Sequence, residues 1–311
     1  MRIPFLLVVL PLTLTTIHAG VIMYGGNGGH PNPDGSPLSI NNGWLDIIDQ
    51  TTGAVSPVGH PAGVSKLSGL AFLTSDILFG STINGNPGFP PPLPNSPTSD
   101  LVQINPLTGA LIKDIGLINV GGTALQIADL AIQPGTGTLF GISASSSGDF
   151  SAAGKLYTIN KTTGVATLVG ATGDFFGAIA FAPNGTLYMH AADLDNMGNI
   201  VNVQLKTLNP TNATTLTAIA ILDIPGALGV RADGTIFAGN GDAGKIYTIN
   251  PLNGQETTVG NTGLNFVGDL DFQRAPEPMS LVMCGLGMLG LAVCCRRRAG
   301  STGPLRRGRP R

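Results

Sequence analysis

Leu156-Tyr157-Thr158-Ile159-Asn160-Lys161-Thr162-Thr163-Gly164 decides the fold. Its first four residues favour an extended strand. Asn160 then supplies a side-chain oxygen for a turn, and Gly164 supplies a backbone free to take the left-handed conformation. The unit recurs. Its strand and Asn or Asp reappear as Leu45-Asp46-Ile47-Ile48-Asp49, Leu101-Val102-Gln103-Ile104-Asn105, Leu205-Lys206-Thr207-Leu208-Asn209 and Ile246-Tyr247-Thr248-Ile249-Asn250. The turn glycine returns as Gly53, Gly109 and Gly254, with Ala213 in the fourth copy.

Three more strands belong to each copy. An aromatic strand comes first, marked by Tyr24, Phe79, Phe140, Tyr188 and Phe237. A short strand follows the turn and ends at Gly59, Gly116, Gly170 or Gly260 in four copies. A small apolar strand completes the unit: Gly69-Leu70-Ala71-Phe72, Asp129-Leu130-Ala131-Ile132, Ala178-Ile179-Ala180-Phe181, Ala227-Leu228-Gly229-Val230 and Asp269-Leu270-Asp271-Phe272. Pro134-Gly135, Asn184-Gly185 and Asp233-Gly234 are tight-turn dipeptides that join it to the next aromatic strand. Such a unit cannot bury both of its faces alone, whereas stacking units around an axis does so. The expectation for residues 20–275 is therefore an all-β β-propeller of five four-stranded blades. Leu156 to Gly164, and nearly as well Ile246 to Gly254, resemble the Leu-Tyr-x-Ile-(Asn/Asp)-x-x-Thr-Gly motif of irregular propellers. That resemblance implies architecture and no activity. Gly25 to Gly35 and Ser143 to Gly154 read as surface loops, and Asn86 to Pro97 as a Pro-rich insertion.

Composition agrees. Of 311 residues only 11% are charged, while Gly 45 and Pro 23 are abundant. That excludes coiled coils and helical solenoids, which need Ala, Glu, Lys, Leu and Arg in bulk. The net charge of −2 hides a division. Residues 20–275 hold 17 acids, 16 of them Asp, against eight Lys or Arg. An acidic exterior disfavours nucleic acid as a partner and admits divalent cations and neutral glycans.

Both ends read as addresses. Residues 1–19 have a signal peptide's layout: Arg2, the apolar run Ile3 to Leu14, and small Ala19 at the cleavage position. At the other end, Pro276-Glu277-Pro278 precedes the uncharged segment 279–295, and Arg296, Arg297 and Arg298 follow it. As a helix that segment rises about 26 Å, near the thickness of a bilayer core. The expectation is one transmembrane helix with the Arg cluster and the basic tail 299–311 on the cytoplasmic side. The three-part end resembles the PEP-CTERM sorting signal of bacterial surface proteins. This implies transient anchoring in the inner membrane, processing by signal peptidase and an exosortase, and delivery to the cell surface or matrix beside exopolysaccharide. The extension Ala299 to Arg311 departs from that pattern, which usually stops at the basic cluster. Cys284, Cys294 and Cys295 all lie in this region, so no disulfide framework supports the body.

Chemistry is sparse in the body. His30, His60 and His190 share no metal-ligand spacing and read as loop or surface residues. Gly239 to Gly244 spells G-x-G-x-x-G, but a strand follows instead of the helix a dinucleotide site requires. Asp193 and Asp195 are candidates for a calcium site, in a loop that lacks the remaining ligands of an EF-hand. The leading expectation is a non-catalytic binding or structural module. The alternative is an enzyme, a glycan lyase or hydrolase, in which Asp129, Asp269 and Asp271 converge at the channel.

Overall fold

The computed structural model describes residues 21–28, 42–83, 98–144, 153–240, 244–264 and 266–273. Within them the chain is all β, built as five four-stranded antiparallel sheets. Blade 1 holds β1 (Met23–Asn27), β2 (Leu45–Ile48) and β3 (Val55–Gly59). Blade 2 holds β4 (Leu67–Thr74), β5 (Ile77–Thr82), β6 (Asp100–Ile104) and β7 (Leu111–Leu117). A small hairpin, β8 (Asn119–Val120) and β9 (Thr123–Ala124), leads to blade 3: β10 (Ile127–Ile132), β11 (Leu139–Ser143), β12 (Lys155–Ile159) and β13 (Ala166–Ala171). Blade 4 holds β14 (Phe176–Phe181), β15 (Leu187–Leu194), β16 (Ile200–Leu208) and β17 (Thr215–Ala220). Blade 5 holds β18 (Pro225–Val230), β19 (Ile236–Asn240), β20 (Lys245–Ile249) and β21 (Glu256–Asn261). The last strand, β22 (Val267–Phe272), returns to blade 1 and pairs with β1, Met23 opposite Phe272 and Gly25 opposite Leu270. The sequence repeat and the blade are thus offset by one strand. The small apolar strand that ends each repeat is the innermost strand of the next blade, and this offset closes the ring.

The core is divided into five wedges, one between each pair of neighbouring blades. Between blades 1 and 2 lie Tyr24, Leu45, Leu70, Phe72 and Val102; between blades 3 and 4 lie Phe140, Leu156, Phe181 and Met189. The aromatic strand supplies a ring to each wedge, and the innermost strand of the next blade meets it. Tyr24 packs on Phe72 with ring centroids 5.1 Å apart, Phe140 on Phe181 at 5.3 Å and Phe237 on Phe272 at 5.5 Å. These are tilted contacts of the kind aromatic quadrupoles favour. Gly25 and Gly26 depart from the loop expected over 25–35. They are buried inside β1, where a side chain at Gly25 would strike Ile48.

Each turn after the third strand of a blade follows one design. Asp49, Asn105, Asn160, Asn209 and Asn250 accept through Oδ1 from the N–H two residues on. Gly53, Gly109, Gly164, Ala213 and Gly254 donate back to the carbonyl of that Asp or Asn, with φ between 62° and 73°. Ala213 therefore keeps the left-handed backbone of the glycine it replaces. Asn160 Oδ1 also accepts from Thr162 Oγ1 at 2.7 Å. Asn160→Ala is expected to cost about 1–2 kcal/mol, read as a lower urea midpoint at unchanged slope.

Candidate functional site

The two ends of the propeller differ in kind. One end carries the uniform turns 49–54, 105–110, 160–165, 209–214 and 250–255 together with the short hairpins at 75–76, 133–138, 182–186 and 231–235. The other end carries the irregular connections, of which 60–66, 118–126, 172–175, 195–199 and 221–224 are described in full. Residues 29–41, 84–97, 145–152, 241–243 and 265 of these connections lie outside the described residues. Loops that vary on a fixed scaffold are where binding groups sit.

The channel aspartates do converge. Asp129 and Asp269 occupy the same position on β10 and β22, and Gly69 fills that position on β4 between them. The missing side chain lets the two carboxyls reach each other in a hydrogen bond. Both are completely buried, and burial pushes both well above the usual carboxylate range. Two buried carboxyls this close resist ionising together, so the pair favours holding a proton between them. Each also holds backbone. Asp269 accepts from Leu70 N–H and Leu270 N–H at 2.5 Å each, and Asp129 from Leu130 N–H and Ile179 N–H at 2.7 Å each. Asp271 accepts from Phe72 N–H at 2.6 Å and Phe272 N–H at 2.8 Å. These side chains bind the inner edge of one blade to the next. The axial cavity beside them, lined by Leu130, Ile179, Leu228 and Asp271, measures about 20 Å³, room for one water.

A wider opening lies on the irregular end of blade 4. It is a shallow groove of about 580 Å³ lined by Asp174, Phe175, Asp193, Asp195, Asn196 and Asn202, among others. Asp174 pairs with Lys206 Nζ at 2.5 Å, its side chain only 1% exposed. Burial raises its affinity for a proton, against the pull of Lys206. The calcium candidates fare unequally here. Asp195 Oδ1 accepts from Met197 N–H and Asn199 N–H, and Oδ2 from the Asn199 amide. Its carboxylate thus serves its own turn. Asp193 Oδ2 accepts from Asn202 Nδ2 at 3.3 Å. Among the described residues no group of three or more His, Cys, Asp or Glu is arranged to hold a metal.

Two buried ionisable groups were not legible as such. His190 lies fully buried in β15 instead of on a surface loop. Burial pulls it down to about 4, so it is neutral, and Nε2–H donates to the Asp223 carbonyl at 2.9 Å. Its ring meets Tyr247 edge-on, centroids 6.4 Å apart. Asp223 is further held by Asn240 Nδ2 at 2.9 Å and Lys245 Nζ at 2.5 Å. The cluster fixes the connection between blades 4 and 5. Asp46, on β2, is wholly buried with neither carboxyl oxygen hydrogen-bonded among the described residues, and burial pushes it up to about 6.

His30, the cleavage residue Ala19, and the sorting residues Pro276, Glu277, Pro278, Arg296, Arg297 and Arg298 lie outside the described residues, as does segment 279–295. Among the described residues no helix is long and apolar enough to cross a membrane. Residues 114–268, from within β7 to the start of β22, match a family described as a repeat of unknown function, DUF6923. No curated protein is significantly similar in sequence. Among solved structures, the chain is similar to hydrazine synthase of Kuenenia stuttgartiensis, at 13% identity and a TM-score of 0.40, over 64% of this chain and 50% of that one. It thus spans about half the length of that enzyme chain. It is also similar to a Bacteroides caccae protein of unknown function, at 12% identity and a TM-score of 0.43, over 82% of this chain and 100% of that one.

Proposed function

We propose that the chain is an exported, exosortase-sorted cell-surface or extracellular-matrix protein. Its propeller acts as a non-catalytic binding or structural module associated with exopolysaccharide. One observation carries the module reading: among the described residues the irregular connections 60–66, 118–126, 172–175, 195–199 and 221–224 gather at one end of the blades, opposite the uniform turns. The order Pro276-Glu277-Pro278, an uncharged span and Arg296 to Arg298 supports the sorting reading. An enzyme working through Asp129 and Asp269 is the weaker reading. Their oxygens are committed to the backbone of their own and neighbouring blades, and both side chains are wholly buried.

The test is intact mass of the protein from its native host, in membrane and released fractions, followed by co-sedimentation of the released form with that host's exopolysaccharide. A released species ending near Pro278 that sediments with the polymer and leaves its chain length unchanged is expected. A species retaining Arg311 in the membrane overturns sorting, and depolymerisation overturns the non-catalytic module.

A further inference from the structure

The two ends of the propeller chain close the ring, and that fixes where the chain enters and leaves it. In blades 2 to 5 a short hairpin on the regular end joins the innermost strand to its neighbour, at 75–76, 133–138, 182–186 and 231–235. In blade 1 those two strands are β22 and β1, the last and the first. Met23 lies opposite Phe272, so residues 21–22 and 273 stand where a fifth hairpin would be. Hydrogen bonds hold them there. Gln273 N–H donates to Ile22 O at 2.9 Å, and its side-chain amide donates to Ser75 O, on the hairpin of blade 2. Gln50 Nε2 donates to Val21 O. Arg231 Nη1, on the hairpin of blade 5, donates to Gln50 Oε1 at 2.9 Å.

The same end is the least acidic part of the body. Its turns and hairpins hold Asp49, Asp76 and Asp233 against Lys161 and Arg231. Residues 20–275 as a whole hold 17 acids against eight bases. Blades 2 and 5 flank the exit. Their turns follow proline with leucine, Pro106-Leu107 and Pro251-Leu252, where the other three turns place Thr51, Thr162 and Thr211. Leu107 is 78% exposed and Leu252 88%.

We propose that the regular end is the face the propeller turns to the lipid bilayer while the chain is anchored. Leu107 and Leu252 then enter the headgroup layer, and the irregular end points away. The proposal rests on the anchoring read from segment 279–295. Reach decides the orientation. Gln273 and Met279 are six residues apart, which span at most about 21 Å. To turn the irregular end to the bilayer, that lead would have to run the height of a blade, about 26 Å for the eight residues of β15. Charge points the same way. Anionic headgroups repel the regular end, with three acids and two bases, less than the rest of the acidic body. The connections that differ from blade to blade are thereby held out toward whatever they bind.

The test uses the full chain carrying Cys284→Ala, Cys294→Ala and Cys295→Ala, reconstituted into vesicles of phosphatidylethanolamine and phosphatidylglycerol. Single cysteines then carry an environment-sensitive fluorophore. Leu107→Cys and Leu252→Cys probe the regular end. Met197→Cys and Leu222→Cys probe the irregular end from sites as exposed, 84% and 87%. Nitroxide-bearing lipid is expected to quench the first pair about threefold or more above the second. Equal quenching at both ends, or stronger quenching at the irregular end, in chain that resists carbonate extraction overturns the orientation and leaves the anchor standing. Chain that carbonate washes from the vesicles overturns the anchor and the orientation together.

Discussion

Asp269→Ala is expected to lower the stability of the propeller by about 2–6 kcal/mol, because it strands two buried backbone donors at once. For a chain of this size that is a fall in Tm of roughly 10 °C, measured by circular dichroism or calorimetry. The donors are Leu70 N–H, on the neighbouring blade, and Leu270 N–H, on the same strand. The substitution also removes the hydrogen-bond partner of the Asp129 carboxyl, which is itself wholly buried. Asp269→Asn tests the shared proton through its pH dependence. The amide cannot ionise, and it keeps one acceptor oxygen where Asp269 has two, so it loses one of the bonds from Leu70 N–H and Leu270 N–H at every pH. Burial and the neighbouring carboxylates Asp129 and Asp271 hold the folded affinity of Asp269 for its proton above the unfolded one. A carboxyl raised in this way contributes stability that is fully present below its ordinary value of 3.8 and is lost as pH rises through the folded value. No Lys, Arg or His lies on β4, β10, β14, β18 or β22 to offset a second negative charge. Wild type is therefore expected to lose ground to Asp269→Asn as pH rises, with the Tm difference growing in the variant's favour. A difference that stays constant with pH would sink the shared proton and leave the backbone bonds as the whole role of the pair.

The architecture was legible because it is written locally and five times over. The Asn-x-Thr-x-Gly turn closes on its own backbone, so Asn160 and Gly164 announce it without help from distant residues. The convergence of Asp129, Asp269 and Asp271 was legible for a related reason: a repeat that stacks around an axis brings equivalent positions together. What they do there was not. Whether an axial carboxyl faces solvent or the amides of the next blade depends on the channel's width. The size of the five innermost strands' side chains sets that width jointly. His190 misled because a lone histidine carries no period. Its burial comes from Tyr247 and Asp223, which lie on the neighbouring blade and its connection. Asp46 sits in a strand whose counterparts carry Val102, Tyr157, Lys206 and Tyr247, so nothing in its own repeat foretold a buried acid. The sorting segments belong to a different class of signal. They are read by enzymes and membranes as composition in order, and the fold neither needs nor reports them.

Gly260→Ala and Gly59→Ala are expected to be as damaging as any loss from the core, about 3–5 kcal/mol each, although both glycines lie on outer strands. The sequence marks them only as the residue that ends a short strand. Their packing explains them: each receives the turn of the next blade against bare backbone. A Cβ on Gly260 would fall on the Thr52 carbonyl, one on Gly59 on the Thr108 carbonyl, and one on Gly170 on the Asn212 carbonyl. The turn glycine meets the same surface from the other side, Gly53 against Gly260 and Gly109 against Gly59. Backbone cannot yield as a flexible side chain can, so the added methyl must push two blades apart along a shared wedge of core. In a closed ring that displacement reaches every other interface. Blade 4 supplies the control. Its outer strand β17 ends on Ala220, without the bulge that precedes Gly59, Gly116, Gly170 and Gly260 in the other four blades. The backbone path into the contact differs there, and the partner turn keeps its glycine at Gly254, where a Cβ would meet the Ala220 carbonyl. Ala220→Gly is accordingly expected to cost about 1 kcal/mol or less, the ordinary effect of added backbone freedom in a strand. Urea unfolding of the three variants decides the matter. Losses at Gly59 and Gly260 no larger than at Ala220 would show that the blades slide freely over one another's turns, and that the repeated glycine reflects only the bulge.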